Sequence, residues 1–183
     1  MPEFFLFSAF AALIGALPVK YLFLQIKNTP LLKQNEGRLT VKDLITHIGF
    51  EMIALITVLE LIKGLLVAVL ALNFWTDWQW MAAWGILSAI LVEQITHQKF
   101  RQKGLPLFCG GLLVVAPAML KIFLALWLSL LILSRNLYLA QVAAAALLMT
   151  ILYLSREPNY LVFLTAGYLA VSLWVYLGLH FKS

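Results

Sequence analysis

The feature that most constrains this chain is a succession of seven apolar segments separated by short polar stretches. A helix of about 20 apolar residues spans the hydrocarbon core of a bilayer, so such segments predict membrane-spanning helices. Of the 183 residues, 63% are hydrophobic and 11% are charged, whereas soluble domains carry about 25% charged residues. This composition excludes a soluble, disordered or disulfide-stabilised protein. We predict an all-α, polytopic membrane helix bundle formed by a single transmembrane domain, residues 1–183.

Two of the seven segments have unusual lengths. Segment 44–74 is too long for one upright span, so we expect it to tilt, to kink near Gly64 or to extend beyond the bilayer. Segment 105–116 has about a dozen residues and is closed by Pro117, which predicts a half-length or re-entrant helix. The other segments cover residues 4–24, 81–95, 118–133, 137–154 and 160–179.

The cationic residues lie mainly in alternate polar stretches. If loop 25–43 is cytoplasmic, ten of the thirteen Lys and Arg residues lie on that side, two lie on the other and Lys63 lies within a segment. The positive-inside rule then predicts an outside N-terminus and a cytoplasmic C-terminus. It also accounts for the net charge of +5 without nucleic acid as a partner. The chain starts Met1-Pro2-Glu3, without the positive n-region of a signal peptide, so we expect the first segment to be retained.

Four ionisable residues lie inside segment 44–74. Glu60 and Lys63 are three residues apart, close enough on one helix to form an ion pair, and this spacing fits a structural pair as well as a functional site. His47 and Glu51 share another face, but no set of residues has the spacing of a known metal site. Cys109 is the only cysteine, which excludes a disulfide framework and a thiolate cluster. We predict neither a metal nor a cofactor.

A second basic loop, residues 97–104, leads into the half-length segment. A helix that begins at Gly104 offers free backbone N–H groups and the positive end of its dipole. Lys99, Arg101 and Lys103 precede it directly. The arrangement suits a phosphate or a lipid head group at the membrane face. Charge that only sets the topology explains the same residues, and the residues alone favour that simpler interpretation.

The order of these features resembles the bacterial integral-membrane acyl-phosphate:glycerol-3-phosphate acyltransferases, the PlsY family. The family motif D-x-x-K-G matches Glu60-Leu61-Ile62-Lys63-Gly64, and F-K-G-G-K-G-V-A-T-x-x-G matches residues 100–110 with one residue fewer. The resemblance implies a seven-helix bundle in the bacterial inner membrane and a role in phospholipid biosynthesis. The residues that it implies for substrate or phosphate binding, with His180 as a displaced base, are Gly37, Lys63, Arg101, Lys103, Gly104 and His180.

Three of the five motif regions of this family have lost groups that touch substrate. In the first loop, Glu36 stands where the family has serine and Thr46 replaces its arginine. The G-H-x-x-P motif becomes Leu91-Val92-Glu93-Gln94-Ile95, and the final R-H-x-E-N-like segment becomes residues 177–181. A carboxylate in place of the serine adds repulsion against any phosphate.

These departures favour a catalytically degenerate relative that serves as a membrane scaffold or subunit, with a lipid in the former substrate cleft. The alternative is an active acyltransferase that uses a rearranged site. A small-solute transporter is a third class, since half-helices also build transport sites, but no inverted repeat is evident. The expected partners are membrane lipids and other membrane protein subunits.

Overall fold

The computed structural model describes residues 2–26, 49–96 and 104–180. These ranges hold eight α-helices and no strand. In chain order the helices are α1 (Pro2–Ala16), α2 (Val19–Ile26), α3 (Phe50–Phe74), α4 (Trp78–Thr96), α5 (Leu105–Val115), α6 (Pro117–Ser134), α7 (Leu137–Leu154) and α8 (Asn159–His180).

The first apolar segment forms two helices rather than one. Proline has no N–H to donate and disfavours a helical conformation of the residue before it, so α1 ends just before Leu17 and Pro18. The Val19 N–H donates to the Leu17 carbonyl at 2.9 Å, and the Leu22 N–H donates to the Pro18 carbonyl at 2.9 Å as α2 begins. The break leaves carbonyl groups at the end of α1 that lack intrahelical donors.

Helix α3 runs without interruption through Gly64 over 25 residues, which corresponds to about 37 Å and exceeds the thickness of a hydrocarbon core. Gly64 has a packing role here. A Cβ atom at Gly64 would overlap the Leu107 carbonyl oxygen, and one at Gly110 would overlap the Leu61 carbonyl oxygen. The backbones of α3 and α5 therefore touch at this crossing, as is common where small residues face each other in membrane bundles.

Helix α5 has 11 residues and ends at Ala116, whose backbone is not helical, before α6 starts at Pro117. The half-length helix predicted for segment 105–116 is thus confirmed. Helix α5 is largely buried, apart from residues such as Leu113, and α4 lies beside it at the centre of the bundle, packed against α1, α3, α5 and α8. The core between α4 and α5 includes Ile86, Ile90, Leu107 and Leu112.

The outer surfaces of the helices are strongly apolar. Within the described residues, α3, α6 and α7 are long and apolar enough to cross a membrane. Helix α6 is the most exposed of them, with Ile132 and Leu133 at 76% and 80% exposure. Large exposed aliphatic side chains of this kind suit contact with lipid tails rather than with water.

Candidate functional site

Lys63 lies inside the bundle, where its ammonium group has two partners. Its Nζ atom is 2.9 Å from Oε2 of Glu60, one helical turn away on α3, and it donates a hydrogen bond of 2.7 Å to the Leu17 carbonyl. The Lys63 and Glu60 side chains are only 5% and 3% exposed. We call Leu17, Glu60 and Lys63 the charged cluster. It joins α3 to the junction between α1 and α2.

The charged cluster accounts for two of the three N–H donors of a lysine ammonium. The carboxylate offsets its charge, and the carbonyl comes from the helix break at Pro18. A substrate phosphate at Lys63 would have one remaining N–H donor and would have to enter a buried, low-dielectric environment beside the Glu60 carboxylate. The geometry therefore favours the structural role of the Glu60–Lys63 pair over a phosphate-binding role for Lys63.

Gly104 forms the tip of α5. Its φ of 62° lies in the left-handed region that favours glycine, and a Cβ atom there would come within 2.7 Å of Ile90 Cγ2. Its carbonyl accepts a 2.8 Å hydrogen bond from the Phe108 N–H, which closes the first turn. The N-cap residue is a glycine and supplies no side-chain cap, and Pro106 contributes no N–H. The N–H groups of the first turn have no intrahelical acceptor and can face a ligand.

A second buried polar cluster, which the sequence did not predict, lies between α7 and α8. Gln141 on α7 donates from Nε2 to the Tyr168 hydroxyl at 2.5 Å and to the Ser172 hydroxyl at 3.2 Å, both on α8. All three side chains are buried. We call Gln141, Tyr168 and Ser172 the neutral cluster. The signal for it was one glutamine within an apolar helix, since buried amides in membrane bundles usually bond across helices.

The neutral cluster reaches α5 through aromatic rings. The Tyr168 ring lies parallel to that of Phe108, with a centroid distance of 3.9 Å and an interplanar angle of 5°. The Phe123 ring on α6 is roughly perpendicular to both rings, with centroid distances of 5.3 Å to Phe108 and 6.2 Å to Tyr168. Since Phe108 belongs to the turn that starts at Gly104, the neutral cluster is connected to the tip of α5.

Two further buried polar side chains lie on α4, at the positions where the acyltransferase family has G-H-x-x-P. Glu93 and Gln94 are 2% and 8% exposed. Glu93 lies one helical turn beyond Ile90, which contacts Gly104, so the two residues share a face of α4. A carboxyl group therefore lies on the helix face that packs beside the tip of α5.

The structure describes only part of the expected site. Lys63 lies next to Gly64, where α3 crosses α5. Leu107 is the first α5 residue at this crossing, and Gly104 lies one turn before it. Gly37, Arg101 and Lys103 lie outside the described residues. His180 ends α8, and its side chain is also outside them.

Comparisons with known proteins give one consistent result. A sequence model for glycerol-3-phosphate acyltransferase matches residues 5–180. The crystal structure of PlsY (YgiH), an integral membrane glycerol 3-phosphate acyltransferase, in its glycerol 3-phosphate form has a TM-score of 0.79 at 18% identity, covering 96% of this chain and 89% of that one. Its lysophosphatidic acid form has a TM-score of 0.78 at 18% identity, covering 94% and 87%. No curated protein sequence matches the chain.

The likeness to these structures confirms the predicted fold class, an all-α acyltransferase-like bundle with one long and one half-length helix. Together with the apolar helices, it identifies the chain as an integral membrane protein. At 18% identity the likeness establishes the fold and leaves the chemistry of the site to its own residues.

Proposed function

Because the chain belongs to the glycerol-3-phosphate acyltransferase family, whose sequence model matches residues 5–180, we propose that it keeps the family fold as a catalytically degenerate member. In this role it binds a phosphate-bearing lipid and serves as a membrane scaffold or subunit, without transferring acyl groups to glycerol 3-phosphate. The family predicted from the motifs at residues 60–64 and 100–110 is confirmed by this sequence model.

One observation carries this proposal: the Lys63 ammonium is held by Glu60 and the Leu17 carbonyl at 2.9 and 2.7 Å. Acyl transfer from an acyl phosphate to glycerol 3-phosphate requires two anionic groups held together and a hydroxyl activated. The lysine of the D-x-x-K-G-like motif is engaged inside the protein instead. That leaves Arg101 and Lys103, which directly precede α5 in the sequence, a set suited to one phosphate rather than two.

The sequence of the first loop supports the same conclusion. Glu36 places a carboxylate where the family has serine, and Thr46 removes a guanidinium group. Like-charge repulsion and a lost guanidinium–phosphate contact each cost about 2 kcal/mol in a partly desolvated site. Together these changes correspond to a rate loss on the order of a thousandfold.

The proposed ligand has a monoester phosphate and one acyl chain. The N–H groups in the first turn of α5, which lack intrahelical acceptors, suit the phosphate, as do Arg101 and Lys103, which precede this turn in the sequence. The apolar outer surfaces of the helices suit the acyl chain. Lysophosphatidic acid, the ligand named for one of the similar structures, combines both features and serves as the probe.

The second candidate is an active acyltransferase with a rearranged site. It is supported by the 96% coverage of this chain in the structural match and by the retained Lys103-Gly104 pair of the second motif. In that case Lys103 would contact the substrate phosphate directly. The two candidates differ in turnover.

An assay with purified protein in detergent separates the candidates. We expect no lysophosphatidic acid from acyl phosphate and glycerol 3-phosphate, under conditions where an intact family member turns over in parallel. We also expect the protein to bind lysophosphatidic acid more tightly than the monoacylglycerol that lacks the phosphate. Robust turnover that Lys103→Ala abolishes would reject degeneracy and establish the active enzyme. Absence of both turnover and phosphate-dependent binding would reject both candidates.

We further propose an outside N-terminus and a cytoplasmic C-terminus in a bacterial inner membrane, based on the distribution of Lys and Arg residues. In a Cys109→Ser background, single cysteines at Gln34 and Gln102 should react with an impermeant thiol reagent only from the cytoplasmic side. Labelling of either position from outside would contradict this orientation.

A further inference from the structure

We infer that Tyr168 is a positioning residue for the tip of α5: its ring fixes Phe108, and Phe108 fixes the turn at Gly104 that faces the lipid phosphate. This role rests on the proposed function for its ligand, although the contact between the rings exists independently of any ligand. No motif of the acyltransferase family pointed to Tyr168 in the sequence.

The Tyr168 and Phe108 rings pack directly against each other. Tyr168 and Phe108 are both fully buried, and their rings are parallel at a centroid distance of 3.9 Å. Close packing of two fully buried rings restricts the position of each, because the interior leaves little space for another arrangement. Phe108 also donates its backbone N–H to the Gly104 carbonyl at 2.8 Å. A shift of the Phe108 side chain would therefore move the turn whose N–H groups face the ligand.

The Tyr168 side chain is held in place by a hydrogen bond to its hydroxyl group. Its hydroxyl accepts a hydrogen bond from Gln141 on α7, and the same amide group donates to Ser172, one turn further along α8. The ring is thus held at its hydroxyl by the neutral cluster and on its face by Phe108. These side-chain contacts therefore connect α5 to the two longer helices α7 and α8, which resist its displacement.

The tip of α5 is not stabilised by the helix alone. An isolated helix shorter than about 12 residues is marginally stable, and α5 has 11. Its N-cap residue, Gly104, supplies no side-chain cap and has a left-handed backbone conformation. Tertiary contacts must hold this turn, and they include Ile90 beside Gly104, the α3 backbone beside Leu107 and Tyr168 against Phe108.

Cys109 gives a direct readout because it follows Phe108 and is the only cysteine of the chain. It is buried in the folded protein, so its rate of reaction with N-ethylmaleimide reports local opening of α5. We expect Tyr168→Leu to raise this rate about tenfold, because the flat contact is lost. Tyr168→Phe keeps the ring and should stay within about threefold of the unmodified protein.

Tyr160→Leu is the matched control. Tyr160 lies on the same helix, and its ring meets Trp80 at 6.3 Å on α4 rather than a residue of α5. A general loosening of α8 would raise the Cys109 labelling rate in both leucine variants. If Tyr168 positions the tip of α5, the rate rises only for Tyr168→Leu. Phe108→Leu removes the same contact from the other side and serves if Tyr168→Leu fails to fold.

Ligand binding completes the test, with lysophosphatidic acid, the matching monoacylglycerol and glycerol 3-phosphate as three probes. We expect Tyr168→Leu to weaken lysophosphatidic acid binding about tenfold and to leave monoacylglycerol binding unchanged. The double variant Phe108→Leu with Tyr168→Leu should be no weaker than either single variant, because both act through one contact. A parallel loss for glycerol 3-phosphate would identify free phosphate esters as ligands of the same tip.

The outcomes separate the inference from the proposed function. If the unmodified protein binds lysophosphatidic acid and Tyr168→Leu changes neither binding nor Cys109 labelling, the positioning role is wrong and the proposed function stands. If no protein binds the lipid phosphate, the proposed function is wrong, and the role of Tyr168 at this site falls with it, whatever the labelling rates.

Discussion

The charged cluster and the neutral cluster both bury polar groups in an apolar bundle, but they satisfy these groups differently. In the charged cluster, an ion pair within α3 reaches a backbone carbonyl exposed by the helix break at Pro18. In the neutral cluster, one amide group bonds two hydroxyl groups across α7 and α8. A buried charge needs an opposite charge as well as hydrogen bonds, whereas neutral groups need hydrogen bonds alone. Removing one member should therefore be much more costly in the charged cluster.

The largest effect is expected for Lys63→Ala. This change removes the buried ammonium group that lies 2.9 Å from the Glu60 carboxylate, and we expect a loss of about 3–5 kcal/mol in stability. The double change Glu60→Ala with Lys63→Ala removes both charges and should be more stable than Lys63→Ala alone. Thermal unfolding in detergent measures both variants.

Lys121→Ala is the control for this comparison, since Lys121 is exposed on α6 and its removal should be nearly neutral. Unfolding is also measured with added lysophosphatidic acid. If Lys63 instead holds a lipid phosphate, the double variant will gain nothing over Lys63→Ala, and the lipid will stabilise only proteins that retain Lys63.

A smaller effect is expected for Gln141→Leu. This change removes the amide donor of the neutral cluster and leaves two buried hydroxyl groups to find other partners, at a cost of about 1–3 kcal/mol. Gln25→Leu, at an exposed position of α2, provides the control. A destabilisation equal to that of Lys63→Ala, measured by the same unfolding experiment, would show that charge does not set the difference between the clusters.

The smallest effect is expected for Ser172→Ala. The Ser172 hydroxyl accepts the longer of the two hydrogen bonds, at 3.2 Å, and Gln141 keeps its bond to Tyr168 in the variant. We expect a loss of about 0.5–1 kcal/mol. Ser129→Ala removes an exposed hydroxyl that bonds only the Ala125 carbonyl of its own helix and should be neutral. If Ser172→Ala costs more than Gln141→Leu, the amide group is not the centre of the neutral cluster.

The fold was predictable where apolar length alone sets a helix. The segments predicted at residues 105–116, 118–133, 137–154 and 160–179 agree with α5 to α8 within one residue at each end. Apolar length predicts one helix over residues 4–24, but the chain breaks at Pro18, because proline removes a backbone donor. Segment 44–74 is described only from residue 49 onward, and α3 accounts for most of it.

The candidate site was predictable only in part. The Glu60–Lys63 spacing lies within one helical turn, so the sequence places both groups on one face. Their third partner, the Leu17 carbonyl, is 46 residues from Lys63, and no local pattern reveals it. Gln141 is likewise 27 residues from Tyr168 and 31 from Ser172.

The sequence alone established a membrane bundle of apolar helices, its half-length helix and the family to which it belongs. These properties follow from composition, segment length and short motifs, all of which are local along the chain. The partners of its buried polar groups depended on how the helices pack. Backbone contact of α3 with α5 at Gly64 and Gly110, and the stacking of Tyr168 on Phe108, bring together groups that are far apart in the chain. Packing depends on the shapes of whole helix surfaces, and sequence spacing does not contain that information.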